Sequence, residues 1–248
     1  LCYSVIWSFV FMQKGNNMLT KVKDFMKKYS HCWTLLYFPI YMIWFTWLER
    51  KVTPNSDYTN IHVYVDDLIP FCEWFVIPYV LWFVYIAGVM AFILFTSRKE
   101  FYEASAYMFI GMSMCLFICT IWPNGQDLRV QEFTSENILT SIMGFIYHAD
   151  TNTNVFPSIH VYNSVGAAIL IFRSHILKKY TWVKASSVIL STLIIMSTVF
   201  LNQHSIMDVF GGLILAALMY IPVYCVDWAK VREAVSKKKV AKKSVTTN

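Results

Sequence analysis

Residues 157–173 read PSIHVYNSVGAAILIFR, and residues 197–212 read STVFLNQHSIMDVFGG. A further apolar stretch, 181–201, leads into the second of these segments. Stretches of roughly 20 apolar residues are what a helix needs to cross the hydrocarbon core of a bilayer. The whole region therefore predicts a pair of membrane-crossing helices joined as a hairpin, with His160 and His204 at the same end.

The composition of the whole chain agrees with a membrane protein. Of its 248 residues, 57% are apolar and 15% are charged, against about 45–50% and about 25% in soluble domains. Aromatic residues make up 17%, as expected where rings lie at membrane interfaces. These values exclude an ordinary water-soluble globule and predict an all-α, polytopic membrane protein.

Six stretches are apolar enough to be predicted as transmembrane helices, which places both termini on one side of the membrane. They are residues 33–48, 74–96, 102–122, 157–173, 181–201 and 207–226. All but three of the 21 lysines and arginines then lie on the side of the termini, the exceptions being Arg50, Lys51 and Arg129. By the positive-inside rule the termini are cytoplasmic, and we expect an integral protein of the plasma or cytoplasmic membrane.

The chain reads as one domain with a short segment at each end. We interpret residues 1–17 as translated upstream sequence or an expression remnant, residues 18–228 as a single six-span domain, and residues 229–248 as a basic cytoplasmic tail. Residues 55–73 carry several aspartates among apolar residues, and we expect them to lie along the outer interface. No internal repeat is evident.

The loop before the fourth predicted span ends in a pattern suited to an anion. Pro157 fits the first turn of a helix, with Thr153 or Asn154 as the expected N-cap. Ser158 and His160 then lie at a helix N-terminus, where free N–H groups and the helix dipole favour a phosphate.

The second histidine has a carboxylate partner on its own helix. His204 and Asp208 are spaced i, i+4 and share a helix face. Asp208 can accept a hydrogen bond from one imidazole nitrogen, which leaves the other as a nucleophile. Gly211 and Gly212 allow another helix to approach closely. Either histidine motif alone is weak, but both fall at one membrane level beside the polar loop that carries Arg129.

At these residues the sequence resembles the type 2 phosphatidic acid phosphatase superfamily, which includes lipid phosphotransferases such as inositol phosphorylceramide synthase. The family motifs are K-x6-R-P, P-S-G-H and S-R-x5-H-x3-D. Residues 157–160 are similar to the second motif, residues 197–208 are similar to the third, and Arg129 matches the arginine of the first. Trp122, Ile159 and Thr198 stand where the family has Lys, Gly and Arg.

The resemblance covers about residues 120–212 and implies a mechanism that needs no metal or other cofactor. It implies that His204 attacks phosphorus and becomes a phosphohistidine, that Asp208 orients His204, and that His160 protonates the leaving oxygen. It also implies that Arg129 and Ser158 hold the phosphoryl oxygens. The expected activity is removal of a phosphate or pyrophosphate from a lipid at the extracytoplasmic face. The expected partners are that lipid phosphate and the membrane, with no nucleic acid.

Three alternatives remain open on the sequence. The bulky Ile159 is similar to the phosphotransferase branch, so the acceptor could be a lipid alcohol in place of water. The loss of two family cations leaves a noncatalytic lipid-binding or transport protein on the same scaffold. A metal site made of His160, His204 and Asp208 is weaker, because no carboxylate is evident behind either histidine. The oligomeric state is left open.

Overall fold

The computed structural model describes residues 20, 23–24, 26–228, 230 and 233, and these are mostly helical. The predicted segment 1–17 and nearly all of the predicted tail 229–248 lie outside the described residues. The α-helices in the described part are α1 (Tyr37–Lys51), α2 (Val76–Thr96), α3 (Arg98–Ile121), α4 (Ile138–Ala149), α5 (Ile159–Arg173), α6 (Thr181–Phe200) and α7 (Ile206–Tyr220). A 3-10 helix, Ser30–Leu36, precedes α1, and a π-helical turn, Ile221–Cys225, extends α7.

Each of the six predicted spans coincides with a helix, and four helices in the described part are long and apolar enough to cross a membrane. These four are Glu73–Thr96, Arg98–Ile121, Thr181–Phe200 and Ile206–Cys225. Helices α1 and α5 have 15 residues each, which is about 22 Å at 1.5 Å per residue. That is shorter than the ~30 Å hydrocarbon core. Four candidate spans indicate an integral membrane protein, while six spans and cytoplasmic termini stay predictions.

Helix α5 packs against α2, α3, α6 and α7 and lies at the centre of the helix assembly. Tyr162 on α5 stacks on Tyr107 of α3 with ring centroids 5.3 Å apart, and its hydroxyl donates to the Tyr107 carbonyl at 2.6 Å. The Tyr107 hydroxyl donates to the carbonyl of Ala216 on α7 at 2.9 Å. Because an unpaired polar group costs free energy in an apolar core, these bonds fix α3, α5 and α7 relative to one another.

The outer surfaces of the helices are strongly apolar. Ile43 on α1 is 72% exposed, Val84 on α2 is 68% exposed, and Ile214 on α7 is 59% exposed. Such apolar surface is unfavourable in water and is typical of a surface that contacts another apolar phase. The exposed side chains therefore agree with helices that face lipid.

The segment between α1 and α2 folds across the ends of the helices at the histidine end. Its strand β1 (Thr59–Asn60) pairs in parallel with β2 (Asn124–Gly125), which follows α3. Asp66 lies in a 3-10 turn, Asp66–Leu68, and its Oδ1 accepts a hydrogen bond from the Ile206 N–H at 2.8 Å. Since Ile206 begins α7, Asp66 satisfies an N–H group that the helix leaves open. The first half of the chain thus supports the helix that carries Asp208.

The long loop predicted between α3 and α5 contains a helix that the sequence analysis did not predict. Helix α4 begins with a capping box, in which the Asn137 side chain accepts from the Thr140 N–H and the Thr140 hydroxyl accepts from the Asn137 N–H. This reciprocal capping explains where α4 starts. The helix brings its last residues, Tyr147 to Ala149, next to the polar loop that precedes α5.

Candidate active site

The turn between α6 and α7 positions His204 against Asp208. The His204 N–H donates to the Thr198 carbonyl at 3.0 Å, which holds the turn against the end of α6. His204 Nδ1 lies 3.1 Å from Asp208 Oδ2, and the same oxygen accepts from the Ser205 N–H at 3.0 Å. Asp208 is fully buried. One carboxylate therefore caps α7 and orients the imidazole of His204. The predicted contact is present, but His204 lies in the turn before α7 and not on the helix itself, so the prediction of a shared helix face is wrong.

His160, on the first turn of α5, lies beside His204. Its ring is between those of Tyr79 and Trp82 on α2, with centroid distances of 4.7 and 4.4 Å. The two histidine rings are 5.7 Å apart at an interplanar angle of 63°. Each histidine is 8% exposed. The structure thus brings together two side chains that are far apart in the sequence.

The starts of α5 and α7 are in direct backbone contact. The Ser158 N–H donates to the Asp208 carbonyl at 3.1 Å. A Cβ at Gly212 would lie 2.8 Å from the Ser158 carbonyl oxygen and 2.9 Å from Val161 Cβ. Contacts this short exclude any side chain larger than hydrogen at position 212 without movement of the backbone. Gly212 therefore sets the distance between the two histidine-bearing helix starts.

Ser158 acts as the N-cap of α5. Its Oγ accepts from the Val161 N–H at 3.4 Å, so the predicted caps Thr153 and Asn154 are wrong. Sequence reasoning placed Pro157 inside the helix, whereas the helix begins after Ser158. Ser158 is fully buried and is not among the residues that line the cavity described below. Its predicted role as a phosphate ligand stays a prediction.

Arg129 is held behind the site by the loop that it organises. Its guanidinium donates to the carbonyls of Tyr147 at 2.9 Å, Asp150 at 2.7 Å and Thr151 at 2.7 Å, and to Gln203 Oε1 at 2.7 Å. Burial lowers the pKa of Arg129 from its ordinary value, since a desolvated cation is less stable. Four of its five N–H groups are used in this way. Contact between Arg129 and a phosphate remains a prediction.

A cavity of about 410 Å³ lies between the helices, and both histidines line it. Its volume is within the range of small-molecule sites. Most of its wall is apolar or aromatic. Three of the residues that line it, Met42, Phe83 and Phe145, are also 52, 60 and 72% exposed on the outer surface of the helices. The cavity therefore combines a polar end at the histidines with an apolar side open to the surroundings.

Two acidic residues that the sequence analysis did not consider also line the cavity, Glu49 and Asp150. Glu49 lies near the end of α1, and its Oε1 accepts from Asn154 Nδ2 at 2.9 Å. Burial, and then the charge of Glu49, raise the pKa of Asp150 to about 6, although Arg129 and His204 oppose that shift. The signal that could have found both residues is their place in the sequence, next to the ends of predicted helices at the same level as the histidines.

Among the residues that the structure describes, no group of three or more His, Cys, Asp or Glu side chains is arranged to hold a metal ion. His160, His204 and Asp208 therefore do not form such a group. The expectation that the site works without a metal stays a prediction.

No curated protein and no solved structure matches the chain. The family model of the PAP2 superfamily matches residues 119–232, the region that contains Arg129, His160, His204 and Asp208. Glu49 and the first two helices lie outside the matched region. The match supports a phosphatase-type activity in general, and it shows that this region of the chain is similar to the PAP2 superfamily.

Proposed function

We propose that the protein is a membrane-embedded phosphatase that removes phosphate or pyrophosphate from a lipid through a phosphohistidine at His204. The observation that carries the proposal is the His204–Asp208 pair beside His160 at the polar end of one cavity. A nucleophile held by a carboxylate, with a second titratable group at the same cavity, is the arrangement that covalent phosphoryl transfer needs.

In the proposed reaction, Asp208 holds Nδ1 of His204 protonated, so that the lone pair on Nε2 is available. Nε2 attacks phosphorus, and the bond from phosphorus to the lipid oxygen breaks. His160, protonated at that stage, gives its proton to the leaving oxygen. A water then attacks the phosphohistidine, its proton passes to His160, and free phosphate leaves from His204.

Backbone N–H groups at the start of α5 supply hydrogen bonds for the phosphoryl oxygens. The first N–H groups of a helix have no partner within the helix, and its dipole is positive at that end. Ile159 and His160, which belong to this first turn, line the cavity. An anion bound there would lie next to both histidines, as electrostatic stabilisation of the transition state requires.

The apolar side of the cavity favours a lipid over a water-soluble phosphate ester. Met42, Phe83 and Phe145 line the cavity and are also exposed. An acyl chain that contacts these side chains can stay in the membrane while its headgroup reaches the histidines. The same apolar side would also admit a second lipid, so headgroup transfer to a lipid alcohol is the alternative function.

The purified chain is to be tested on a panel of lipid phosphates and pyrophosphates, with release of phosphate and formation of new lipids both followed. We expect turnover in EDTA and a covalent phosphoenzyme that disappears in His204→Ala. His148→Ala is the matched control, because His148 is an exposed histidine at the same end of the structure and is not part of the cavity. Full turnover by His204→Ala, or activity that needs an added divalent ion, would contradict the proposal.

The proposed location of the site at the extracytoplasmic face is tested separately by single cysteines in a background without the native ones. Asn55 lies at the histidine end and Lys178 lies in the turn before α6 at the opposite end, and both side chains are exposed. We expect an impermeant thiol reagent to modify position 55 and spare position 178 in intact cells. The reverse pattern would overturn the topology.

A further inference from the structure

A second polar cavity lies at the end of the helix assembly opposite to the histidines. Its volume is about 440 Å³, which is within the range of small-molecule sites. The end of α2 and the start of α3 bound it on one side, and the end of α5 and the turn before α6 bound it on the other. Among the described residues it shares none of its lining with the histidine cavity. By the positive-inside rule this is the predicted cytoplasmic end.

The lining of this second cavity carries more positive than negative charge. Its charged residues are Lys99, Arg173 and Lys178, against Glu100 and Glu103. Both carboxylates already have a basic partner, because Glu103 pairs with Lys99 at 3.9 Å and Glu100 Oε1 lies 2.7 Å from His175 Nδ1. Within the described residues, neither Arg173 nor Lys178 forms an ion pair. The cavity is therefore suited to an anion.

Arg173, the last residue of α5, is held over two tyrosine rings. The centre of its guanidinium lies 4.2 Å from the centroid of the Tyr224 ring and 5.8 Å from that of the Tyr220 ring. Its Nη1 donates to the Tyr220 hydroxyl at 3.1 Å, which is its one hydrogen bond within the described residues. Because the guanidinium has five N–H groups, the others are available to the oxygens of a phosphodiester. The stacked rings orient them before a ligand binds.

Two buried polar atoms at this cavity have no hydrogen-bond partner within the described residues. They are the Tyr224 hydroxyl and Glu100 Oε2, and both residues line the cavity. Buried polar atoms without partners are rare in proteins. The hydroxyl can donate to a phosphoryl oxygen, whereas a carboxylate oxygen can only accept. A ligand that satisfies both atoms therefore needs an anionic oxygen together with a hydroxyl or ammonium donor.

The surroundings of the second cavity favour a ligand from the membrane. Phe95 near the end of α2 and Phe172 near the end of α5 are 60 and 48% exposed, so acyl chains can contact apolar surface at this end of the helices. Lys178 is exposed in the turn before α6, at the level expected for lipid headgroups. Anionic lipids give the cytoplasmic leaflet its negative surface potential, and basic pockets between helices on that side bind their headgroups.

We propose that this cavity is a second lipid site, which binds an anionic phospholipid whose headgroup carries a hydroxyl or ammonium donor. Arg173 and Lys178 bind the phosphodiester, and the Tyr224 hydroxyl donates to one of its oxygens. Glu100 Oε2 accepts from the donor of the headgroup. The site is independent of the proposed function, because His160 lies at the other end of α5, about 20 Å away along the helix axis at 1.5 Å per residue.

The test titrates phosphatidylglycerol into the purified full chain in phosphatidylcholine micelles and follows the thermal midpoint. The His204→Ala variant is used, so that no lipid is consumed. We expect the midpoint to rise, because a ligand that binds only the folded chain stabilises it. Phosphatidylmethanol has the same phosphodiester charge without a headgroup donor, and we expect it to bind about tenfold more weakly, as loss of a hydrogen bond to a charged group gives.

Two outcomes of this titration would overturn the inference. Equal binding of the two anionic lipids would refute the role of Glu100 and the headgroup class that depends on it. Glycerophosphoglycerol is the water-soluble headgroup without acyl chains, and an equal effect of this compound would show a site for a soluble anion. We expect it to have much less effect than the lipid, because it lacks the acyl chains that contact the helices.

Variants of two lining residues test where the lipid binds. Arg173→Gln removes a charge, and Tyr224→Phe removes only a hydroxyl that makes no hydrogen bond within the described residues. We expect each to raise the apparent Kd for phosphatidylglycerol about fivefold or more, and Tyr224→Phe to leave the midpoint without this lipid unchanged. Lys179→Gln is the matched control, because Lys179 is the exposed neighbour of Lys178 and does not line the cavity.

The results with these variants separate a built site from general attraction to a basic surface. An equal loss in Lys179→Gln, or a rise in midpoint that persists in both Arg173→Gln and Tyr224→Phe, would refute the site. If the wild-type chain turns over no lipid phosphate, the proposed function fails, while binding that is lost in Tyr224→Phe still upholds this inference.

Discussion

Replacement of Asp208 by Asn tests how the carboxylate supports His204. The asparagine oxygen can still accept from the Ser205 N–H, so we expect the start of α7 to be kept. The exchange removes a negative charge whose oxygen is 3.1 Å from Nδ1, and Asp208 is fully buried. At an effective dielectric constant of about 20, Coulomb's law gives about 5 kcal/mol for unit charges at this distance. Because the imidazole becomes positively charged when it attacks, a loss of kcat of about 10³–10⁴-fold follows, similar to the effect of the same exchange in serine hydrolase triads.

The assay for this prediction combines steady-state turnover, the amplitude of the phosphoenzyme and the thermal midpoint. Asp66→Asn is the matched control, because Asp66 accepts from the Ile206 N–H on the same helix start and makes no bond with His204. We expect Asp66→Asn to cost about 1 kcal/mol of stability, because the Asp66 oxygens accept from the Ile206 and Val63 N–H groups and an amide can keep only one of these bonds, with little change in kcat. The reasoning is refuted if Asp208→Asn keeps kcat within tenfold of wild type, or if both variants lose kcat equally.

Three further outcomes follow from the structure. His160→Ala should reduce turnover of a lipid alkoxide by about 10²–10⁴-fold and that of a nitrophenyl phosphate far less, because only the alkoxide needs a proton; equal losses would remove His160 from the acid role. Gly212→Ala should lower the free energy of unfolding by about 1–3 kcal/mol, because the added methyl group overpacks against Ser158. Thermal unfolding in detergent measures this loss, and an unchanged midpoint would show that α5 and α7 can move apart without cost. The Asp150 carboxyl, with its pKa raised to about 6 by burial and by Glu49, loses its charge as pH falls through that value. KM for a lipid phosphate should therefore fall below pH 6, because a negative charge that repels the anionic headgroup is removed from the cavity; the same pH dependence of KM in Asp150→Asn would exclude Asp150 as the cause.

The raised pKa of the Asp150 carboxyl also predicts how the stability of the fold changes with pH. A raised pKa means that the folded chain binds a proton which the unfolded chain, with an ordinary carboxyl pKa near 3.8, has already lost between about pH 4 and 6. Stability from this group therefore decreases as pH rises through that window. Asp150→Asn should raise the thermal midpoint at pH 7 and have no effect near pH 4. A lower midpoint at pH 7 would show that the charged form is stabilised by the fold.

Local patterns of the sequence predict much of the helix architecture. Runs of apolar side chains mark all six long helical segments, since each side chain prefers an apolar phase whatever its neighbours are. The spacing of His204 and Asp208 also predicts their contact, although the contact is made from the turn before α7, where Asp208 caps the helix start, and not along one helix face. The His204–Asp208 contact and the apolar helices both depend on residues that are close together in the sequence.

Helix boundaries and membrane depth were less well predicted. Apolarity does not distinguish a helix exposed to lipid from α5, which is surrounded by protein and has 15 residues. The cap of α5 was assigned to the wrong residues because Thr153, Asn154 and Ser158 are all good caps by residue type. Only the observed backbone shows that Ser158 accepts from the Val161 N–H.

Tertiary structure alone decided which distant residues share the cavity. Glu49 belongs to the first helix, yet it contacts the loop before α5 and lines the same cavity as His160 and His204. Arg129 suits a phosphate by charge, but its position directs its guanidinium to carbonyls of its own loop. The sequence by itself determined the apolar helices and the His204–Asp208 pair, because these follow from hydrophobicity and from residues that are close in the chain at the start of α7. The charge balance of the cavity depends on contacts between residues far apart in the chain, and no local pattern encodes those.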